Sequence, residues 1–111
     1  KGVNAMSVQV IPWGRQEPPA PDALLRELAA SGHTYSTWAN GPHDAYQAHS
    51  HHYDKRLVCL EGSITFALPA TGDHIVLRPG DVLVLPAETV HAATVGAHGV
   101  RCAEAHLIAE R

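Results

Sequence analysis

The chain has 111 residues and a formal net charge of −3 with histidine neutral, a length that fits one domain. Hydrophobic residues make up 45% and charged residues 17% of it, which is typical of a globular protein rather than a disordered one. No basic run is present, so nucleic acid and anionic membranes are poor candidates as partners. Because no transmembrane or signal-peptide pattern is found, we expect a cytoplasmic protein.

The predicted elements begin after a short N-terminal segment. Residues 1–6 are expected to be an expression remnant or a disordered N-terminus, and residues 7–111 to form a single domain. The segment 22–30 predicts a helix with Asp22 as its N-cap and Gly32 just beyond its end. Extended segments are predicted, in chain order, at 7–13, 33–39, 47–60, 64–68, 74–77, 82–85, 90–95 and 100–108.

Turn signals separate these extended segments, among them Glu61-Gly62-Ser63 and Arg78-Pro79-Gly80-Asp81. Many short strands with glycine and proline between them predict an all-β sandwich or barrel. The segment 57–60 is apolar on both faces, so the helix or a second subunit should cover it, and we expect a homodimer. Cys59 and Cys102 are interpreted as buried free thiols, although their spacing leaves a disulfide open.

Histidines provide the main functional signal. His49 and His51 are spaced i and i+2, which in an extended segment places both imidazoles on one face. His91 lies forty residues further on, and a third imidazole arriving from elsewhere would complete a divalent transition-metal site. His52 should point the opposite way, and His106 is a secondary candidate for the same cavity. The remaining histidines are expected at the surface or in turns: His33, His43, His74 and His98.

The same region carries two longer patterns. The first reads Gly41, His49-x-His51, Lys55, Gly62, and the second reads Gly72, Pro86-x-Glu88, His91, Val95. In order and spacing they resemble the two motifs of the cupin superfamily, small double-stranded β-helix (jelly-roll) barrels. The resemblance covers roughly half of the chain and implies an all-β cupin barrel with one short N-terminal helix. It also implies metal binding, because some cupins bind a metal through three histidines.

Three positions depart from the cupin pattern. Lys55 stands where the family has a metal-binding glutamate, Glu88 where glycine is usual, and Val95 where asparagine is usual. A protonated lysine has no lone pair and cannot coordinate a cation. Three alternatives therefore stay open at this stage. His49, His51 and His91 bind a metal with water or substrate completing the shell; a bulge brings Asp54 inward as the missing carboxylate; or the histidines and Lys55 line a metal-free pocket for an anionic or polar ligand.

These features predict a small metalloenzyme that acts on a small organic molecule through a three-histidine site. The metal is an unidentified divalent transition ion, with zinc, iron, manganese and nickel all possible. In an unbroken strand, Tyr53 and Lys55 would share the cavity face, where Tyr53 could donate a proton and Lys55 could neutralise an anionic substrate. The alternative is a non-catalytic cupin module that binds a small molecule or a metal.

Overall fold

The computed structural model describes residues 7–31 and 34–107. Within these ranges the chain forms one helix and seven strands: β1 Gln9–Ile11, α1 Pro21–Ala30, β2 Ser36–Asn40, β3 Ala45–His49, β4 Asp54–Leu68, β5 Asp73–Leu77, β6 Val82–Leu85 and β7 His91–Leu107. The predictions made for residues 1–6, for Gly32 and for His33 lie outside the described residues. No described helix has the length and apolar character needed to span a bilayer.

Strands β4 and β7 are the two longest strands and form the centre of the fold. They pair antiparallel over almost their whole length, from Asp54 opposite Leu107 to Ala67 opposite Ala92. At one end, β6 and β1 extend the sheet beyond β4, and β2 extends it beyond β7. At the other end, β5 pairs with β4 and β3 pairs with β7. Two antiparallel sheets thus share the two long strands, which is the jelly-roll, double-stranded β-helix architecture predicted from the sequence.

The long strands change sheets where two glycines meet. The β4–β7 register shifts between Cys59 and Glu61 and again between Gly62 and Ile64. Gly62 and Gly99 both have a φ of 78°, and a Cβ on Gly62 would overlap the carbonyl oxygen of Gly99. The predicted turn at 61–63 is therefore wrong, because the chain passes through it as a bulge and continues as one strand. Likewise the two strands predicted at 90–95 and 100–108 are one strand, β7.

The core lies between the two sheets. Alternate residues of β4 and β7 point inward and pack together with side chains from the flanking strands: Leu57, Cys59, Ile64, Phe66, Leu77, Leu83, Ala93, Val95, Val100 and Cys102. Cys59 lies directly opposite Cys102, and both are buried free thiols, as predicted. Their position in the apolar core is that of small hydrophobic side chains.

The helix covers the outer face of the same strands. Leu24 and Leu28 of α1 are buried against outward-pointing side chains of β4 and β7: Val58, Leu60, Ala103 and Ala105. One chain therefore buries both faces of the segment 57–60, and the apolar outer face does not by itself require a second subunit. The homodimer stays a prediction.

Two local predictions are corrected. The N-cap of α1 is Ala20, with Pro21 as the first helical residue, while Asp22 lies within the first turn. The first N–H groups of a helix have no partner within it, and Pro21 has no N–H to leave unpaired. The Asp22 carboxylate interacts favourably with the positive end of the helix dipole. The predicted extended segment 47–60 is interrupted, since β3 ends at His49 and β4 begins at Asp54. Residues 49, 51, 53 and 55 therefore do not share the face of one continuous strand.

Candidate metal centre

Three histidines meet although they belong to different parts of the backbone. His49 is the last residue of β3, His51 lies in the loop that follows, and His91 opens β7 directly opposite His49. One ring nitrogen of each histidine lies within 4.8 Å of the others, and the ring centroids are 4.4–5.3 Å apart. His91 is buried, His51 is half-buried and His49 is the most exposed. The three residues predicted to bind a metal are thus brought together, and they form a group that can hold an ion.

Hydrogen bonds on the far side of each ring determine which nitrogen is free. Nδ1 of His91 lies 2.9 Å from the carbonyl oxygen of Thr89, and Nδ1 of His49 lies 2.7 Å from that of Gln47. A carbonyl only accepts, so in both residues Nδ1 carries a proton, and in the neutral ring the lone pair is on Nε2. The hydroxyl of Tyr53 lies 3.1 Å from Nδ1 of His51. Each histidine is therefore oriented from behind, as metal-binding histidines usually are.

The free nitrogens test whether the residues fit a metal. The Nε2 atoms of His51 and His91 are buried and have no hydrogen-bond partner. Burial lowers the pKa of both imidazoles, and the nearby charge of Lys55 lowers it further, so the neutral form that binds metal is favoured. Buried ring nitrogens without a partner are costly unless a ligand satisfies them. The donor set therefore fits a divalent transition metal.

The loop that carries His51 is fastened to the turn that precedes His91. The backbone N–H of Glu88 donates to the carbonyl of His51 at 2.7 Å, and the Glu88 carboxylate lies 2.8 Å from the ring of His52. The backbone N–H of Ala87 donates to the Asp54 carboxylate at 2.7 Å. Asp54 is thus engaged by this turn and does not belong to the group of possible metal ligands. His52 points away from the cluster and is exposed, as predicted.

A buried ion pair faces the same cavity. Lys55, on the inner face of β4, is only 7% exposed, and its Nζ lies 3.4 Å from the carboxylate of Glu104 on β7. Burial raises the pKa of Glu104, but hydrogen bonds from His106 and Trp38 and the charge of Lys55 outweigh that effect, and the net pKa lies below its ordinary value. The carboxylate is therefore ionised at neutral pH.

Glu104 is the residue that the sequence reasoning missed. It lies two positions before His106, which was identified as a candidate for the cavity, and alternation along β7 places both on the inner face. The ring nitrogen Nε2 of His106 lies 2.8 Å from Oε2 of Glu104, and the indole N–H of Trp38 donates to Oε1 at 2.9 Å. The two-residue spacing from His106 was the available signal.

Tyr53 lies behind His51 rather than in front of it. Its ring stacks on His106 with centroids 4.0 Å apart and planes at 26°. Its hydroxyl meets the ring nitrogen of His51 that faces away from the cavity, and burial raises its pKa. Tyr53 therefore contacts the rear of His51 and does not line the cavity, whereas Lys55 does. His43, His74 and His98 are exposed, as predicted.

The cavity between the histidines and the ion pair has a volume of about 190 Å³. Its lining is formed by Trp38, Tyr46, His49, His51, Lys55, Ile64, Phe66, His91, Ala93 and Glu104. Polar groups thus face each other across an apolar floor. The volume is smaller than that of pockets for drug-sized ligands, about 300 Å³ and above, so the cavity suits a small molecule.

Comparison with known proteins supports the fold. No protein-family model and no curated protein matches the chain. A cupin superfamily protein from Desulfitobacterium hafniense is similar at a TM-score of 0.60 and 16% identity, covering 98% of this chain and 84% of that one. A cupin-2 domain protein from Shewanella frigidimarina is similar at a TM-score of 0.55 and 17% identity, covering 64% of this chain and 66% of that one.

An enzyme also appears among the similar structures. The polyketide cyclase RemF from Streptomyces resistomycificus has a TM-score of 0.60 and 23% identity, covering 66% of this chain. This chain spans only 53% of the cyclase, about half of its length. At these sequence identities the structural similarity is evidence for a shared fold and not for a shared activity. The chain therefore has the cupin fold, with a three-histidine group that can bind a metal.

Proposed function

We propose that this protein is a small metal-dependent enzyme that acts on a small organic molecule in the cavity beside His49, His51 and His91. One observation carries the proposal: the Nε2 atoms of His51 and His91 are buried without a partner and converge with a nitrogen of His49. Three imidazoles leave coordination positions for water or substrate, which is the style of catalytic rather than structural sites.

The ion would supply Lewis acidity or an activated water, and zinc, iron, manganese and nickel all suit imidazole ligands. The chain itself would supply Lys55, whose buried ammonium is positioned to stabilise negative charge on a bound molecule. Tyr53 would hold the ring of His51 in place through its hydroxyl. Glu104 already accepts hydrogen bonds from three side chains, which supports a role in holding Lys55 rather than in taking a proton.

The test is elemental analysis of protein purified without chelators and then reloaded with each ion in turn. We expect about one metal per chain in the wild type and a loss of at least a hundredfold in metal affinity in His91→Ala, since one of three ligands is removed. His98→Ala, which alters an exposed histidine outside the cluster, is the matched control and should retain the metal. A wild type that takes up no ion would refute the proposal.

A second measurement separates an enzyme from a metal-storing or ligand-binding module. Cobalt-loaded protein should change its visible spectrum when azide is added, because azide occupies an exchangeable coordination position. A spectrum that does not respond would favour the non-catalytic module. Lys55 in place of the usual carboxylate ligand is the observation that keeps this second function in view.

A further inference from the structure

Lys55 has more hydrogen-bond donors than partners. Its side chain is 9% exposed, and its ammonium carries three N–H groups. Among the described residues, only Glu104 bonds to it, at a long 3.4 Å. Two of its N–H groups thus have no partner among the described residues, and Lys55 is one of the residues that line the cavity. Buried charged donors in proteins normally have hydrogen-bond acceptors. For these two N–H groups a bound molecule would have to provide the acceptor.

Glu104, in contrast, has little acceptor capacity to spare. Trp38 and Lys55 bond to its Oε1 and His106 lies against its Oε2. These contacts fix the carboxylate in place beside Lys55. The pair therefore offers donors to a bound molecule and hardly any acceptors, which selects a ligand rich in acceptor oxygens.

The charge balance points in the same direction. Lys55 and Glu104 form an ion pair, so their opposite charges cancel and the pair adds no net charge to the cavity. With the divalent ion of the proposed function, on which this step rests, the cavity carries about two uncompensated positive charges. Its floor of Ile64, Phe66 and Ala93 is apolar, which strengthens charge interactions within it. An anionic ligand would restore the balance.

We propose that the cavity binds a small carboxylate that carries a second oxygen, such as a 2-hydroxy or 2-oxo acid, with the carboxylate on Lys55 and the second oxygen facing the three histidines. Lys55 is thus the specificity-determining residue, and Glu104 is the positioning residue that orients it. The volume of about 190 Å³ restricts the ligand to a few carbon atoms beyond these two groups.

The experiment compares lactate with lactamide, which has the same shape without the charge. Calorimetric titrations use the wild type and Lys55→Met/Glu104→Gln, a double variant that removes both charges and leaves no uncompensated buried ion. The wild type should prefer lactate by at least tenfold, and the double variant should lose about tenfold of that preference, since a charge-assisted hydrogen bond is removed. Arg56→Met, on the opposite face of β4, is the matched control and should bind like the wild type.

Each titration is run on metal-loaded and on chelator-treated protein, so that the two proposals fail separately. A lactate preference that depends on Lys55, in protein that takes up no ion, supports the carboxylate site while the metalloenzyme proposal fails. A lactate preference that is the same in the wild type and the double variant overturns the inference and leaves the metal site intact. Absence of binding by the wild type also overturns it.

Discussion

The two polar walls of the cavity are built in opposite ways. On the histidine wall, backbone carbonyls and the Tyr53 hydroxyl occupy the rear nitrogens, while the Nε2 atoms of His51 and His91 stay buried and without partners. On the opposite wall, the charges of Lys55 and Glu104 are already paired. One wall offers ring nitrogens to a cation, and the other pairs its own charges but has donors to spare.

This difference teaches that the walls respond to different changes. On the histidine wall the neutral form of His51 and His91 is favoured, so an ion that binds there would leave no buried charge behind on these two rings when it dissociates. If one partner of the ion pair is removed, the other is left as an unpaired charge in an apolar interior. Removing one charge of the ion pair should therefore lower the free energy of unfolding. Removing a hydrogen-bond partner of a histidine should mainly lower the affinity for a metal.

The largest expected effect is that of Glu104→Ala. The substitution leaves Lys55 charged, buried and unpaired, and removes the acceptor of the Trp38 indole. We expect a loss of about 3 kcal/mol in the free energy of unfolding, measured by urea titration of metal-free protein. Glu104→Gln keeps an acceptor oxygen and should cost less. A loss below about 1 kcal/mol for Glu104→Ala would contradict the view of a desolvated pair.

A smaller effect is expected for Tyr53→Phe on the histidine wall. The ring and its stacking on His106 are retained, but the hydroxyl that meets Nδ1 of His51 is lost. Metal affinity, measured by competition with a chromophoric chelator, should fall about tenfold while the free energy of unfolding changes little. Tyr35→Phe, at an exposed tyrosine, is the control. Unchanged affinity in Tyr53→Phe would show that His51 does not depend on this contact.

The histidine wall could be predicted from the sequence, and the ion-pair wall only in part. The spacing of His49, His51 and His91 within a cupin-like pattern identified the cluster, but the reason given for it was wrong. His51 lies in a loop rather than on a strand, and the contacts that position it come from the turn around Glu88, over thirty residues away. Local periodicity carries no information about such a contact.

Glu104 escaped prediction for a related reason. A glutamate on the last strand is compatible with either face, and its partners Lys55 and Trp38 are distant in sequence. Only the β4–β7 register, with Lys55 opposite His106 and Leu57 opposite Glu104, brings them together. The bulge at Gly62 was missed because a Glu-Gly-Ser sequence is equally typical of a tight turn.

The smallest expected effect concerns the turn that holds the histidine loop. Glu88 has a φ of 65°, a conformation that costs a residue with a side chain about 1 kcal/mol, which explains why the cupin pattern has glycine there. In return Glu88 pairs with His52, but both side chains are exposed, so the pair contributes little. Glu88→Gly should therefore match or slightly exceed the wild type in free energy of unfolding, and Glu88→Ala should fall about 1 kcal/mol below Glu88→Gly.

Both variants keep the backbone N–H that donates to His51, so metal affinity should be unchanged. If Glu88→Gly proves less stable than the wild type and binds metal more weakly, the His52–Glu88 pair, and not the backbone bond, holds His51 in place.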